Sequence, residues 1–123
     1  MNPLYTDFKK SIKRLEEVLK MKKSDITRDS AIKRFELCFD LAWKSIKTYA
    51  KQEGLECVSP RSCIKMAFEL KLIKYENKWL HMIADRNTSV HLYEQSSAEL
   101  IYSHLPKYLK LFKKLEEEMV EKK

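Results

Sequence analysis

The sequence is poor in residues that reverse a chain and in residues that cross-link one. Its 123 residues include one glycine and three prolines. A small sheet protein needs tight turns every few residues, and those turns draw on Gly, Pro and Asn. A β-rich fold is therefore not expected. Cysteine is also scarce. Cys38, Cys57 and Cys63 are an odd number with no CxxC pair. A disulfide framework or a structural zinc site is not expected, and a reducing cytoplasm is the simplest setting. No apolar run approaches the length needed to span a bilayer. The first residues, Met-Asn-Pro-Leu-Tyr-Thr-Asp, lack the apolar centre of a signal peptide. No membrane role is expected. There is no internal repeat and no low-complexity linker, so residues 1–123 read as a single domain around one core.

What the chain does contain points to helices. Charged residues make up 35% and are dominated by Lys and Glu, both good helix formers. The net charge is +7 and the pI is about 9.3, which favours acidic partners such as RNA or an acidic protein.

Apolar spacing predicts the helices in order. The first runs from about Pro3 to Lys22, with Leu4, Phe8, Ile12, Leu15 and Leu19 in one stripe. A connection through Lys22–Asp25 leads to a second, from Thr27 or Asp29 to about Glu53. Its stripe of Ile32, Phe35, Phe39, Ala42, Trp43, Ile46 and Tyr49, widened by Leu37, Cys38 and Leu41, marks a central helix. Gly54 stands just past its end, where a left-handed cap residue is expected. Ser59-Pro60 reads as an N-cap followed by a first-turn proline. The short helix it opens should reach Leu72 and bury Cys63, Ile64, Ala67, Phe68 and Leu72. A fourth helix covers about Asn77 to Asn87 or a little beyond, with Trp79, Leu80, Met82 and Ile83 as its apolar positions.

The last helix should open at Ser96, which has the S-x-x-E spacing of a capping box with Glu99. Ala98, Ile101, Leu105, Tyr108, Phe112, Leu115 and Met119 form its heptad-like seam. Pro106 should kink or interrupt it. The tail from Glu116 to Lys123 reads as a solvated, fraying end. The fold class is thus all-α, an antiparallel up-and-down bundle of four to five helices. The aromatic faces of the second and fourth helices look larger than one core of this size can bury, so a homodimer is expected.

Between the last two helices lies Asp85-Arg86-Asn87-Thr88-Ser89-Val90-His91-Leu92-Tyr93, the densest group of reactive side chains in the chain. Arg86 can hold a phosphate through two hydrogen bonds, and His91 can take or give a proton near neutral pH. They are five residues apart, about 140° around an ideal helix, so they do not share a face. Either the helix breaks between them or each arginine works with the histidine of another subunit. RNA carries its own nucleophile, the 2′-hydroxyl. Cleavage needs a base, an acid and a cation on the crowded phosphate. His91 can act as base or acid, Arg86 as the cation, and Asn87 can orient the phosphate or His91. No cofactor or metal is called for, since there is no carboxylate cluster and no His-x-x-x-His pair. His81 and His104 read as surface or partly buried histidines. Trp43, Phe35 and Phe39 read as core, and Lys9, Lys10, Lys13 and Arg14 as a solvated face.

Arg86-Asn87-x-x-x-His91-x-Tyr93 resembles the R-polar-x(4–6)-H signature of the HEPN superfamily in its R-x4-H-x-Y form. Three further stretches agree with one branch of it: Arg28-Asp29-Ser30-Ala31-Ile32-Lys33-Arg34-Phe35-Glu36, Ala42-Trp43-Lys44 and Ser59-Pro60-Arg61. With Trp79 and Asp85-Arg86-Asn87, they resemble the "nucleotidyltransferase substrate-binding" family, the HepT-like partners of minimal nucleotidyltransferases of the MntA type. The resemblance covers about Leu4 to Phe112. It implies a dimeric helical bundle and the toxin half of a type VII-like toxin–antitoxin pair. It further implies a metal-independent ribonuclease acting on RNA, tRNA included. Arg86 and His91 match its catalytic pair and Asn87 its polar position. Tyr93 matches the tyrosine that the cognate nucleotidyltransferase, the antitoxin, modifies with AMP. The older family label implies a different role, a non-catalytic subunit that binds substrate for the nucleotidyltransferase.

Overall fold

The computed structural model describes residues 2–91 and 95–121. They form five helices: α1 (Pro3–Leu19), α2 (Asp25–Gln52), α3 (Pro60–Glu69), α4 (Glu76–Ser89) and α5 (Gln95–Glu121). No strand occurs among the described residues. The starts follow the local chemistry. Asn2 caps α1 by accepting from the Leu4 N–H at 2.9 Å, with Pro3 in the first turn. Ser24 caps α2 and Ser59 caps α3, each in a reciprocal box with the hydroxyl three residues on, Thr27 and Ser62. Ser24 lies in what the sequence pattern read as connection. Capping by Ser24 starts the helix at Asp25, two to four residues earlier than expected.

Two helix ends use the same device with different residues. After α2, Gly54 has φ +76°, its N–H reaches the Lys51 carbonyl at 3.0 Å, and the Leu55 N–H reaches that of Ala50 at 2.8 Å. After α3, Lys71 has φ +63°, its N–H reaches Phe68 at 3.1 Å, and the Leu72 N–H reaches Ala67 at 2.9 Å. Both are Schellman motifs, and the expected glycine cap is found. The second uses a lysine where a Cβ is penalised.

The long helices alternate in direction. Tyr5 meets Gln52 and Arg34 reaches the Arg14 carbonyl, so α1 and α2 are antiparallel. Trp79 packs on Phe112, and Asp85 bonds to His104 and Tyr108, so α4 runs antiparallel to α5. Phe8, Phe35, Phe39, Trp79, Tyr108 and Phe112 form the centre of the core, all at most 1% exposed. Phe35 stacks on Tyr108 with ring centroids 5.5 Å apart, and Phe112 touches Phe8, Phe35 and Trp79. The whole α5 seam from Ala98 to Met119 is buried.

Several expectations are corrected. Cys57 and Cys63 are joined by a disulfide, with Cα atoms 5.1 Å apart. The turn into α3 brings Cys57 beside the first turn of that helix, a proximity that CxxC spacing does not capture. Phe68 and Leu37 are exposed, at 44% and 54%, because α3 and α2 bury narrower arcs than their apolar content suggested. Pro106 does not interrupt α5. It is exposed, and the helix is one element on both sides of it. Ser96 does not start α5, which already includes Gln95, and Glu99 turns away from a capping role to bind Lys23 and Arg28. The stretch from Glu116 to Glu121 is not a frayed end: α5 reaches Glu121, and Met119 is 3% exposed; Lys122 and Lys123 lie outside the described residues. Finally, one chain buries Phe35, Phe39 and Trp79 by itself, so the reason given for a homodimer does not hold.

Candidate functional site

The site is built where α4 ends against α2 and α5. Asp85 is fixed first. Its Oδ2 meets the Nδ1 of His104 at 2.7 Å and accepts a short hydrogen bond from the Tyr108 hydroxyl. Burial, and then this carboxylate, push the Tyr108 phenol well above its ordinary value, so it stays a neutral donor. His104 is thus a partly buried histidine, as its sequence context indicated. Ser89, 7% exposed, pins the other side. Its hydroxyl lies 2.6 Å from the Glu36 carboxylate of α2 and 2.9 Å from the Arg86 carbonyl, and can donate to either.

Arg86 stands between these two anchors. Its guanidinium lies over the Phe39 ring, 5.9 Å from the centroid, and Nη1 donates to the Asn87 side-chain oxygen at 3.3 Å. Its Nε is buried and has no acceptor among the described residues. Asp85 is taken by His104 and Tyr108, Glu36 by Ser89 and Lys33. Arg86 forms no ion pair among the described residues, so its charge is held in place without being neutralised. A planar cation with donors to spare is a phosphate or carboxylate receptor.

The helix ends at Ser89, between Arg86 and His91. Val90 keeps α-like angles, and the His91 N–H donates to the Thr88 carbonyl at 3.0 Å. The His91 side chain is exposed. No hydrogen bond joins it to Arg86 or Asn87 among the described residues. Asn87 is turned to Arg86, which leaves the idea that it orients His91 without support. Tyr93 lies outside the described residues.

Sequence reading missed Asp85, Glu36, Ser89 and Phe39 as supports of this site. The four-residue spacing of His104 and Tyr108, opposite an aspartate next to the motif arginine, was the available signal. Cys38 offers no alternative nucleophile: burial pushes its thiol up to about 12. Among the described residues, no three His, Cys, Asp or Glu side chains gather as a metal site needs. No helix is long and apolar enough to cross a membrane.

This geometry can be set beside known proteins. A family model described as "nucleotidyltransferase substrate binding protein like" matches residues 4–121. The chain belongs to that family. The match spans all five helices and both supports of the Arg86 site. A crystal structure from Thermus thermophilus is 33% identical and superposes with a TM-score of 0.86, over 91% of this chain and 98% of that one. A Haemophilus influenzae protein, HI0074, is 21% identical with a TM-score of 0.83, over 94% of this chain and 98% of that one. It is described as showing the fold of a substrate binding domain of a nucleotidyltransferase, and at this identity it supports the bundle fold alone. No curated protein matches the chain in sequence.

Proposed function

We propose that this chain is the partner of a cognate nucleotidyltransferase and acts on RNA as a metal-independent endoribonuclease, the toxin of a toxin–antitoxin pair. Membership in the nucleotidyltransferase substrate-binding family supports the partnership. The ribonuclease reading rests on the residues, and the observation that carries it is Arg86. Its charge is fixed on Phe39, unneutralised, five residues from an exposed histidine.

In the reaction, the 2′-oxygen of the ribose attacks the adjacent phosphorus as the bond from phosphorus to the leaving oxygen breaks. His91 takes the proton of the 2′-hydroxyl or gives one to the leaving oxygen. Arg86, steadied by Asn87, stabilises the charge on the five-coordinate phosphate. Tyr93 is the position at which the partner would attach AMP. The added phosphate, two residues from His91, would compete with RNA for Arg86. The protein works as a homodimer in this reading, so RNA can bridge two such sites.

The second reading is a non-catalytic subunit that presents a substrate to the nucleotidyltransferase. The family description and the exposed, unsupported His91 side chain favour it.

Expression in cells separates the two. Under the ribonuclease reading the parent inhibits growth, Arg86→Ala and His91→Ala do not, and both variants still assemble. Co-expression with the partner adds the mass of one AMP, which Tyr93→Phe abolishes. Equal toxicity of parent and variants would remove Arg86 and His91 from the reaction. A harmless parent whose presence changes the partner's nucleotide transfer would establish the second reading instead.

A further inference from the structure

The opposite end of the α4–α5 groove holds a cavity of about 490 Å³ that the Arg86 site does not use. Its rim carries Lys71, Lys74, Lys78, Lys107, Lys110 and Lys114, all exposed. They come from the end of α3, the start of α4 and the middle of α5, so the charge surrounds the opening from three sides. Glu118 is the one carboxylate in the lining, and Lys114 binds it at 3.3 Å. The other five lysines make no ion pair among the described residues. Tyr75 and Leu111 supply an apolar and aromatic floor, with Trp79 buried beneath it. Tyr75 is 52% exposed and already faces a cation, the Lys78 ammonium, 4.1 Å from its ring centre.

So many like charges around one hollow repel one another, and the fold supplies a single counter-charge. An anionic ligand would supply the missing charge and relieve that repulsion. Lysine ammoniums read phosphates as point charges, whereas a planar carboxylate is better read by arginine, and no arginine lines this cavity. The volume suits a small ligand, and an aromatic floor suits a base. Tyr75 is the N-cap residue of α4 and makes no side-chain cap hydrogen bond, which leaves backbone N–H groups at the same opening.

We infer that this cavity is a nucleotide-binding site, which takes a base on its aromatic floor and phosphates on its lysine rim. Trp79 and Arg86 are seven residues apart on α4, or roughly 10 Å of helix, so the two sites are neighbours on one groove and chemically separate. The nucleotide is either free, as a nucleoside triphosphate, or one unit of a single strand.

Calorimetric titration at low salt with ATP, and separately with a single-stranded deoxyoligonucleotide, tests the inference. The deoxy strand lacks a 2′-hydroxyl and cannot be cleaved, so the result does not depend on the ribonuclease reading. The expected result is binding that weakens by more than about tenfold in Lys78→Glu/Lys110→Glu, and again on raising the salt. Arg86→Ala should bind ATP as the parent does. Binding of ATP alone identifies a free nucleotide, and binding of both identifies a unit of a strand. Lys78→Gln/Lys110→Gln, which removes charge without reversing it, serves if the reversed variant does not fold. The inference is overturned if neither ligand binds, if the lysine variants bind undiminished, or if Arg86→Ala or Lys9→Glu/Lys10→Glu weakens ATP binding as much.

Discussion

Two arginines in this protein do opposite jobs. Arg28 is 6% exposed and each of its three guanidinium nitrogens meets a carboxylate: Asp25 at 3.4 Å, Asp29 at 3.0 Å and Glu99 at 3.0 Å. Three carboxylates from two helices are spent on one guanidinium, which locks the start of α2 to the start of α5. Arg86 is also positioned by the fold, yet by a phenyl face and an amide, with no carboxylate. The two acids that flank its site are occupied by a histidine, a phenol and a serine. An arginine neutralised by its own fold maintains structure. An arginine fixed but left charged is available to a ligand.

Breaking the first arginine should cost stability and breaking the second should not. Arg28→Ala leaves Glu99, Asp25 and Asp29 without their shared cation. Its melting temperature should fall by several degrees, while Arg86→Ala melts with the parent. Equal losses in a thermal scan would erase the distinction.

The support beneath Arg86 is the next test. Asp85→Ala strands the buried Tyr108 hydroxyl and should cost about 1–3 kcal/mol in urea unfolding. It should also lower activity by loosening the end of α4. An unchanged midpoint would make the Asp85–His104–Tyr108 group incidental.

The pH dependence of stability sharpens the Arg28 side. Lys23, and then Arg28, hold the Glu99 carboxyl below its usual value. A depressed carboxylate contributes stability that is present above its unfolded pKa and lost as pH falls through the folded one. Stability should therefore decline below about pH 4.5, the ordinary carboxylate value, and Glu99→Gln should flatten that decline. The exposed setting makes this a small effect. An identical acid limb in parent and variant would contradict it.

The smallest effect concerns the two Schellman ends. Lys71 holds the conformation that Gly54 holds without a penalty. Lys71→Gly should stabilise the protein by about 0.5–1 kcal/mol, read from the denaturation midpoint. It also removes one cation from the lysine-lined cavity, so the gain in stability should accompany weaker nucleotide binding. A loss of stability would mean that Lys71 makes contacts worth more than its backbone strain.

The helices were legible because heptad spacing along α5 and the Ser59-Pro60 and Gly54 signals depend on neighbours in the chain. The left-handed Lys71, the Cys57–Cys63 bond and the exposure of Phe68 were not, since each is decided by how α3 lies against its neighbours. At the site, Arg86, Asn87 and His91 stood out as a local motif. Their supports did not, because Glu36, Phe39, His104 and Tyr108 come from helices distant in sequence. The lysine cavity was hidden for the same reason: its charges lie on α4, α5 and the connection between α3 and α4, and read separately as solvated positions.

The most direct test of the account is RNA cleavage by the purified protein, freed of its partner and treated with EDTA. The parent should cut tRNA. Arg86→Ala and His91→Ala, folded to the same melting temperature, should be slower by about a hundredfold or more. Cleavage by Arg86→Ala at the parent's rate would contradict the claim that this uncommitted arginine is the phosphate receptor.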